Sequence, residues 1–386
     1  MEPLKVGTGS LQTEALNELV VELTAASAGF RRSLPDGVVA ALLELVRSMN
    51  CYYSNLIEGH NTHPIDIERA MRDDYSDEPR QRNLQLEARA HVLTQKWLDE
   101  GALLGRSTSQ EGLRELHSRF CEQLPEELLW VKEPNTGERV RVVPGQLRER
   151  DVQVGKHVAI SAGAVPRFLD HFEQAYGGKG KADTILSSAA AHHRLLWIHP
   201  FIDGNGRVAR LMSYSMLRDA LDTGGIWSIS RGLARQETQY KRHLMACDQP
   251  RQGDLDGRGN LSEKSLAEFT EFFLQSCIDQ VTFMEKLVQP DKLRERIRLW
   301  VEEEIRTGVL PAKAGPLLEA ILYRGELPRG EIPRIVGTGE RQARRIASAL
   351  ESYGVVTSES TRAPLKIAFP ATLAGRWMPG LFPDAD

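Results

Sequence analysis

The sequence has few cysteines, few aromatic residues and no long apolar run. Aromatic residues make up 6% of the 386 residues, and no Cys-x-x-Cys pair occurs among Cys51, Cys121, Cys247 and Cys277. This scatter argues against a disulfide framework or a structural zinc site and is typical of a protein in a reducing cytoplasm. Because no run of about 18 or more apolar residues occurs, we expect no membrane-spanning helix.

A large excess of charge of one sign is also missing. The 49 basic and 53 acidic residues give a net charge of −4, which argues against wholesale nucleic-acid binding but leaves a local basic patch open. The start, "MEPLKVGTGSLQTEALNELV", lacks a basic stretch followed by an apolar core, so no signal peptide is expected. A content of 41% hydrophobic and 26% charged residues is typical of a globular protein, and the length predicts two or three domains.

Apolar residues recur at three- and four-residue spacing through most of the chain, which predicts a mainly α fold. The segment "GERVRVVPGQLRERDVQVGKHVAI" differs, because it alternates and is rich in valine. It predicts a short β-hairpin and a loop, with a turn at Pro144-Gly145. A charged helix is expected from Asp291 onward.

The segment "HPFIDGNGRVAR", residues 199–210, brings several chemistries together. The helix before it should end near Ile198, because Pro200 disfavours helical geometry at the preceding residue. A second helix is expected from about Arg207. In the loop between them, Gly204-Asn205-Gly206 can turn its N–H groups inward to form an anion-binding nest at the helix start.

The charged side chains of this segment suit a phosphate ligand. Arg207 and Arg210 lie three residues apart, so they share a helix face and can bind phosphates bidentately. Asp203 supplies a hard oxygen ligand where a Mg²⁺ ion bridging two phosphates would lie. His199, with an ordinary pKa of about 6.5, is a candidate general base.

The segment resembles the motif of the Fic-domain family, HPFx(D/E)GNGRxxR, at every fixed position. "EGLRELHSRFCEQL", with His117, is similar to the opening Fic helix, and "AHHRLLWIHPF" to the helix before the motif. Residues 144–160, "PGQLRERDVQVGKHVAI", are similar to the segment that this family calls the flap. The resemblance covers about residues 40–280 and implies a Fic-type helical core with a small β-hairpin flap.

The resemblance also implies an activity, the transfer of a nucleotide monophosphate, usually AMP from ATP, onto a protein hydroxyl. His199 would deprotonate the target Ser, Thr or Tyr hydroxyl, and Asp203 would hold Mg²⁺ between the α- and β-phosphates. The phosphates would be bound by Gly204, Asn205, Gly206, Arg207 at the β-phosphate and Arg210 at the γ-phosphate. Tyr240, in "QETQYKRHL", lines the nucleotide pocket by family analogy, or packs on a helix face.

A second segment, "SNLIEGHN" at residues 54–61, points to regulation. Ser54 and Glu58 are four apart, so they share a helix face, and Gly59 is a plausible C-cap. The spacing resembles the family's inhibitory motif, (S/T)xxxE(G/N), which implies that Glu58 pairs with Arg210 and denies it to the γ-phosphate. The alternative is an ordinary glutamate at a helix end.

The C-terminal segment has a different character and predicts three helices followed by two short strands. "GTGERQARRIASALESYG" resembles the recognition helix of a winged helix-turn-helix, and "VVTSESTRAPLKIAF" resembles its wing. There Arg341, Arg344 and Arg345 could meet DNA phosphates or base edges, or the domain could serve only for packing or protein contacts. We therefore divide the chain into an N-terminal helical region with the inhibitory helix (1–110), a catalytic core (111–285), a linker helix (286–314) and a winged-helix-like domain with its tail (315–386).

Three functions follow as hypotheses. The first is a self-inhibited protein adenylyltransferase, and the second is an enzyme that uses another nucleotide or removes AMP, with Glu58 orienting a water. The third is a regulator that binds DNA or a partner through about residues 315–370. An extended target protein could pair with the flap near residues 146–154 by strand addition. Self-modification and a homodimer are left open, and the location expected is the cytoplasm.

Overall fold

The computed structural model describes residues 1–7, 10, 12–132, 137–221 and 223–383. The fold is mainly α, as the apolar spacing predicts. In these ranges no helix combines the length and the apolar character that crossing a membrane requires.

The helices carry most of the chain. In order they are α1 (Thr13–Arg32), α2 (Asp36–Ile57), α3 (Pro64–Ala70), α4 (Pro79–Asp99), α5 (Gln110–Cys121), α6 (Val165–Tyr176), α7 (Lys181–Ile198), α8 (Asn205–Ala220), α9 (Ile229–Arg235), α10 (Glu237–Cys247), α11 (Glu263–Leu287), α12 (Pro290–Arg306), α13 (Ala314–Arg324), α14 (Ile332–Val336), α15 (Glu340–Ser352) and α16 (Ala374–Trp377). The strands are short: β1 (Trp130–Lys132), β2 (Arg139–Arg141), β3 (Gln153–Val154), β4 (His157–Val158), β5 (Glu326–Leu327), β6 (Val356–Thr357) and β7 (Leu365–Ile367).

The chain divides into two compact units. The first comprises Met1–Ala28, Asn50–Thr223 and Ser228–Val281, and the second comprises Gly29–Met49, Gly224–Trp227 and Thr282–Asp386. The four-part division drawn from the sequence stays a prediction.

In the first unit, α7 and α8 pack along each other and form the centre of the helical core. Polar side chains tie them together, since His192 Nδ1 lies 2.9 Å from Ser213 Oγ. Both helices are buried over most of their length, which explains their weak amphipathic pattern in the sequence. The loop between them is therefore held at the end of a rigid helix pair.

The valine-rich segment contains the predicted hairpin, in which β3 pairs with β4 across the turn at Gly155. The first strand of the segment, β2, pairs instead with β1, which lies before the segment. Pro144-Gly145 is a turn, but it joins no paired strands because its polar groups bond α5. Gly145 donates its N–H to His117 Nδ1 at 2.9 Å and accepts from Arg114 Nε at 2.9 Å.

The second unit contains α12 to α16 and a three-stranded antiparallel sheet in the order β5-β7-β6. The predicted sequence of three helices and two strands is present, and β5 is an additional strand after α13. Trp300 and Trp377 are buried at its core, with their rings edge to face at 5.1 Å. The winged-helix assignment stays a prediction.

Candidate functional site

The loop between α7 and α8 lies where the sequence predicts it. Helix α7 ends at Ile198, and His199 adopts the left-handed conformation (φ 50°, ψ 63°). Helix α8 begins at Asn205, two residues before the predicted start, with Gly204 at φ 79° as its N-cap. The first N–H groups of α8 lack carbonyl partners in their own helix, so the loop presents donors and a positive helix end together.

The side chain of Asn205 closes this loop. Its Oδ1 accepts the N–H of Phe201 at 3.0 Å, and its Nδ2 donates to the Phe201 carbonyl at 2.9 Å. Asn205 is 2% exposed. The amide is thus occupied within the protein, and what Asn205 can offer an anion is its backbone N–H.

His117 of α5 packs against this loop. Its ring stacks on Phe201 at 4.0 Å with an interplanar angle of 2°. Because Nδ1 accepts the N–H of Gly145 at 2.9 Å, Nε2 carries the proton and donates to the Asp203 carbonyl at 3.2 Å. Burial lowers the pKa of His117 to about 4, so the ring stays neutral and keeps this tautomer.

His199 is partly buried at the rim of the loop. Burial first, and then the cations of Arg148 and His157, lower the pKa of His199 to about 4. A hydrogen bond to the backbone of Leu196 and the Glu58 carboxylate act in the opposite direction. The imidazole is therefore neutral near pH 7, which is the state that accepts a proton.

The structure brings all three groups of the predicted inhibitory contact together. Arg210 donates from Nε to Ser54 Oγ at 2.8 Å and from Nη2 to the Ser54 carbonyl at 3.2 Å. The same Nη2 also donates to Glu58 Oε1. The Arg210 side chain is 2% exposed and that of Glu58 is 32% exposed.

A helix C-cap fixes the position of Glu58. Gly59 has φ 83°, its N–H bonds the Leu56 carbonyl at 3.0 Å, and the N–H of His60 bonds the Asn55 carbonyl at 2.9 Å. These two bonds are those of a Schellman motif with glycine at the left-handed position. Glu58 is therefore the C-cap residue that directly follows α2, and its carboxylate reaches α8.

The carboxylate of Glu58 lies at the start of α8, against Gly206. A Cβ atom added to Gly206 would collide with Glu58 Oε1 and approach Arg210 Nη1 to 3.2 Å. Glycine at this position thus permits the contact. An anionic side chain lies at the helix N-terminus, where a phosphate would also be favoured.

Two arginines hold Glu58 ionised. Burial alone would raise the pKa of Glu58, but the guanidinium groups of Arg210 and Arg207 outweigh burial and lower it below its ordinary value. The contact is therefore an ion pair at neutral pH.

Arg207 lies in a second carboxylate contact that the sequence did not reveal. Its guanidinium pairs with Glu87 of α4, and Nη2 lies 3.3 Å from His60 Nδ1. Glu87 also lies 2.8 Å from His60 Nδ1. Burial lowers the pKa of Arg207 to about 10, and among the described residues its buried Nε has no hydrogen-bond partner. Nothing in the apolar spacing of α4 distinguishes Glu87 from a surface glutamate.

Asp203 lies beside the nest with its side chain open to solvent. Desolvation by the surrounding protein and the nearby Glu58 carboxylate raise the pKa of Asp203, although the Gly204 N–H opposes this. No cluster of three or more His, Cys, Asp or Glu side chains suited to a metal occurs in the described ranges. A single carboxylate next to a phosphate site fits Mg²⁺, which commonly takes one or two carboxylates together with substrate phosphates.

Tyr240 of α10 is buried behind the site. Its hydroxyl lies 2.6 Å from His192 Nε2. Burial raises the pKa of Tyr240 to about 12, against the opposing effect of the nearby Arg210 cation. The contact of Tyr240 with a nucleotide stays a prediction.

Comparison with known proteins agrees with this geometry. The Fic/DOC family model matches residues 107–217, which include the whole α7–α8 loop. Over 78 residues, 20% of this chain, the sequence is 37% identical to protein adenylyltransferase Fic of Aedes aegypti and 36% identical to that of Drosophila ananassae. The match spans 16% of the length of these relatives.

Solved structures resemble a larger part of the fold. A Fic family protein from Desulfovibrio desulfuricans G20 matches with a TM-score of 0.54 and 15% identity, over 94% of this chain and 98% of the other. Fic-1 from C. elegans matches with a TM-score of 0.55 and 14% identity, over 73% and 75% of the two chains. Residues 107–217 thus match the Fic/DOC family model, and the helical fold around them is similar to that of solved Fic proteins.

Proposed function

We propose that this protein is a self-inhibited protein adenylyltransferase that moves AMP from ATP onto a Ser, Thr or Tyr hydroxyl of a target protein. The observation that carries the proposal is the ion pair between Glu58 and Arg210 at the start of α8. It joins the inhibitory motif to the phosphate motif, although they are far apart in the sequence. The similarity to proteins named adenylyltransferase supports ATP as the donor.

In the proposed reaction, the target hydroxyl oxygen attacks the α-phosphorus of ATP. The bond from that phosphorus to the oxygen bridging to the β-phosphate breaks, and pyrophosphate leaves. His199 takes the hydroxyl proton, a role typically worth about 10²–10⁴-fold in rate. The neutral state of the imidazole supports this assignment.

The remaining residues bind and orient the triphosphate, which is the main source of catalysis in such transfers. Backbone N–H groups of Gly204, Asn205 and Gly206 would bind phosphate oxygens at the start of α8. Arg207 would bind the β-phosphate and Arg210 the γ-phosphate once their carboxylate partners yield. Asp203 would hold Mg²⁺, which neutralises phosphate charge when bound.

The test is nucleotide transfer by the Glu58→Gly variant, in which Arg210 is released. ATP, GTP, CTP and UTP, each labelled at the α-phosphate, are supplied separately together with Mg²⁺ and a cell lysate. We expect label on protein from ATP, and none when His199→Ala is added to Glu58→Gly. Label from another nucleotide alone would change the donor, and no label from any of them would contradict nucleotidyl transfer.

Removal of AMP is a second candidate, which the partial exposure of Glu58 favours. Glu58 also acts on the pKa of His199, so a water between the two groups could be deprotonated and directed at an AMP-modified side chain. Wild-type protein, incubated with a substrate labelled by the Glu58→Gly variant, would then release AMP. Glu58→Gly would not release it, and this difference separates the two directions.

A DNA contact is the third candidate, through α15 of the second unit. Arg341, Arg344 and Arg345 are exposed on one stretch of this helix, although Arg344 also pairs with Glu340 at 2.8 Å. Gel-shift titration of the full chain with duplex DNA, at two salt concentrations, tests it. If the contact exists, the triple substitution to alanine weakens binding and flattens its salt dependence; equal binding by both proteins removes the candidate.

The flap supports target docking by strand addition. Val154 of β3 is 46% exposed and Val158 of β4 is 71% exposed, and each strand has only one partner in its two-stranded sheet. An extended target segment could bond the outer edge of β3 and present its hydroxyl toward His199. Val154→Pro, which disfavours pairing at that edge, should then reduce transfer to a target protein more than it reduces ATP binding.

A further inference from the structure

Arg148, in the flap, is a buried arginine whose guanidinium group donates hydrogen bonds to backbone carbonyls. Its side chain has no exposed surface, and the carboxylate of Asp151 lies 3.9 Å away. The guanidinium donates from Nε to the His199 carbonyl at 2.7 Å and from Nη2 to the Ile198 carbonyl at 3.3 Å. Burying a cation costs free energy unless its hydrogen bonds are satisfied, and the backbone carbonyls satisfy those of Arg148.

The same arginine makes a further contact with the α7–α8 loop. Its own N–H donates to the Pro200 carbonyl at 2.9 Å, so Arg148 binds three successive carbonyls, of Ile198, His199 and Pro200. On the flap side it donates to the carbonyls of Arg150, at 2.9 Å, and Ile160. Arg148 thus joins the flap to the end of α7 through several hydrogen bonds.

These bonds fall where the backbone is strained. His199 has φ 50°, a left-handed conformation that is unfavourable for a residue with a side chain. A cation at the C-terminal end of a helix binds the carbonyls that have no partner there. Arg148 bonds the carbonyl of His199 and the carbonyls on either side of it, and these bonds stabilise the left-handed conformation of His199.

We propose that Arg148 is a positioning residue for proton transfer, which holds His199 in its left-handed conformation and fixes the flap beside it. This inference rests on the proposed function of His199 as the base. Arg148 touches no substrate in this proposal and acts through His199 alone.

The charge of Arg148 provides a second measurable quantity, the pKa of His199. The charged and titratable groups that act on His199 are Arg148 and His157 from the flap and Glu58 from the end of α2. The Arg148 cation lowers the pKa of His199, after the larger effect of burial. Removing this cation therefore raises the pKa of His199, whereas replacing it with another cation does not.

The experiment compares Arg148→Gln with Arg148→Lys, each in the Glu58→Gly protein. Lysine keeps the charge but cannot reach several carbonyls at once, so kcat should fall with little change in KM for ATP. Glutamine loses both properties, so kcat should fall further, by about 10²-fold, and the acidic limb of the pH profile should move to higher pH. The matched control is Arg141→Gln, which breaks an exposed pair with Glu126 at 2.9 Å and should change neither quantity.

Two measurements separate failure of this inference from failure of the proposed function. The pKa of His199 is read by NMR titration, with its signal assigned by comparison with His199→Ala, and needs no activity. ATP binding and thermal unfolding show whether each variant is folded. A folded Arg148→Gln protein with an unchanged His199 pKa and unchanged kcat overturns the inference; an inactive Glu58→Gly parent with the expected pKa change contradicts only the proposed function.

Discussion

Glu58 and Arg210 lie 152 residues apart in the sequence, and they share a hydrogen bond at the N-terminus of α8. One group comes from the C-cap of α2, and the other from the first turns of α8. Arg210 also bonds the hydroxyl and the carbonyl of Ser54, so three acceptors surround a nearly fully buried guanidinium. In the proposed function, the inhibitory segment and the γ-phosphate compete for this single cation.

The first prediction concerns that competition. Arg210→Ala should not activate nucleotide transfer, because it removes the phosphate ligand together with the inhibitory contact. The double variant Glu58→Gly/Arg210→Ala should have the low activity of Arg210→Ala, since both changes act on one contact and their effects do not add. Transfer rates from labelled ATP decide it, and a double variant as active as Glu58→Gly would separate Arg210 from the reaction.

The second prediction concerns pH. Because the pKa of His199 lies at about 4, the imidazole is neutral above that pH and becomes protonated as the pH falls through it. Transfer by the Glu58→Gly protein should therefore persist well below pH 6.5 and decline toward pH 4. The Glu58 carboxylate raises the pKa of His199. Its loss in the variant therefore cannot shift the acidic limb of the pH–rate profile to higher pH. If kcat instead declined as the pH fell through about 6.5, then His199 would not be desolvated or would not be the base.

The third prediction concerns the metal. Asp203→Ala should weaken nucleotide binding in the presence of Mg²⁺ but leave the weaker binding seen with chelator present unchanged. The reason is that the carboxylate contributes to affinity only through the cation. Isothermal titration with ATP, with and without Mg²⁺, measures both. An identical Mg²⁺ dependence in the variant and the parent would remove Asp203 from the metal site.

The fourth prediction concerns the second carboxylate contact. Glu87→Gln removes the carboxylate that pairs directly with the buried Arg207, and we expect the free energy of unfolding to fall by about 1–3 kcal/mol. Glu126→Gln is the matched control, because Glu126 forms an exposed pair with Arg141 and the substitution should change stability much less. Urea denaturation of both variants measures the difference; equal stability would show that Glu87 does not stabilise Arg207.

Local sequence patterns predicted the loop and the pairing of Glu58 with Arg210, whereas the inhibitory role of this pair stays a prediction. The end of α7 could be predicted because Pro200 restricts the residue before it, and the contact with Glu58 could be predicted because its motif carries both the glutamate and its capping glycine. The hairpin of β3 and β4 was predicted, but the pairing of β2 with β1 was not, since alternation of valines does not tell which strand pairs with which. Pro144-Gly145 looked like a hairpin turn, but tertiary bonds to α5 use it instead.

The residues that support the site were the hardest to find. His117, Arg148 and Glu87 act through burial and through contacts with distant backbone or side chains, and neither quantity has a local periodicity. Arg148 stands among charged residues in the flap sequence, yet its side chain has no exposed surface. Only the fold shows which member of a run of charges turns inward.

The central claim is that Glu58 withholds Arg210 from ATP. Its most direct measurement is the rate of AMP incorporation from ATP labelled at the α-phosphate, for wild type and for Glu58→Gly side by side, with His199→Ala as the inactive reference. We predict a rise of an order of magnitude or more in the variant, if the occluded state is favoured by over about 1.4 kcal/mol. Equal rates in the two proteins, both above that of His199→Ala, would contradict the account.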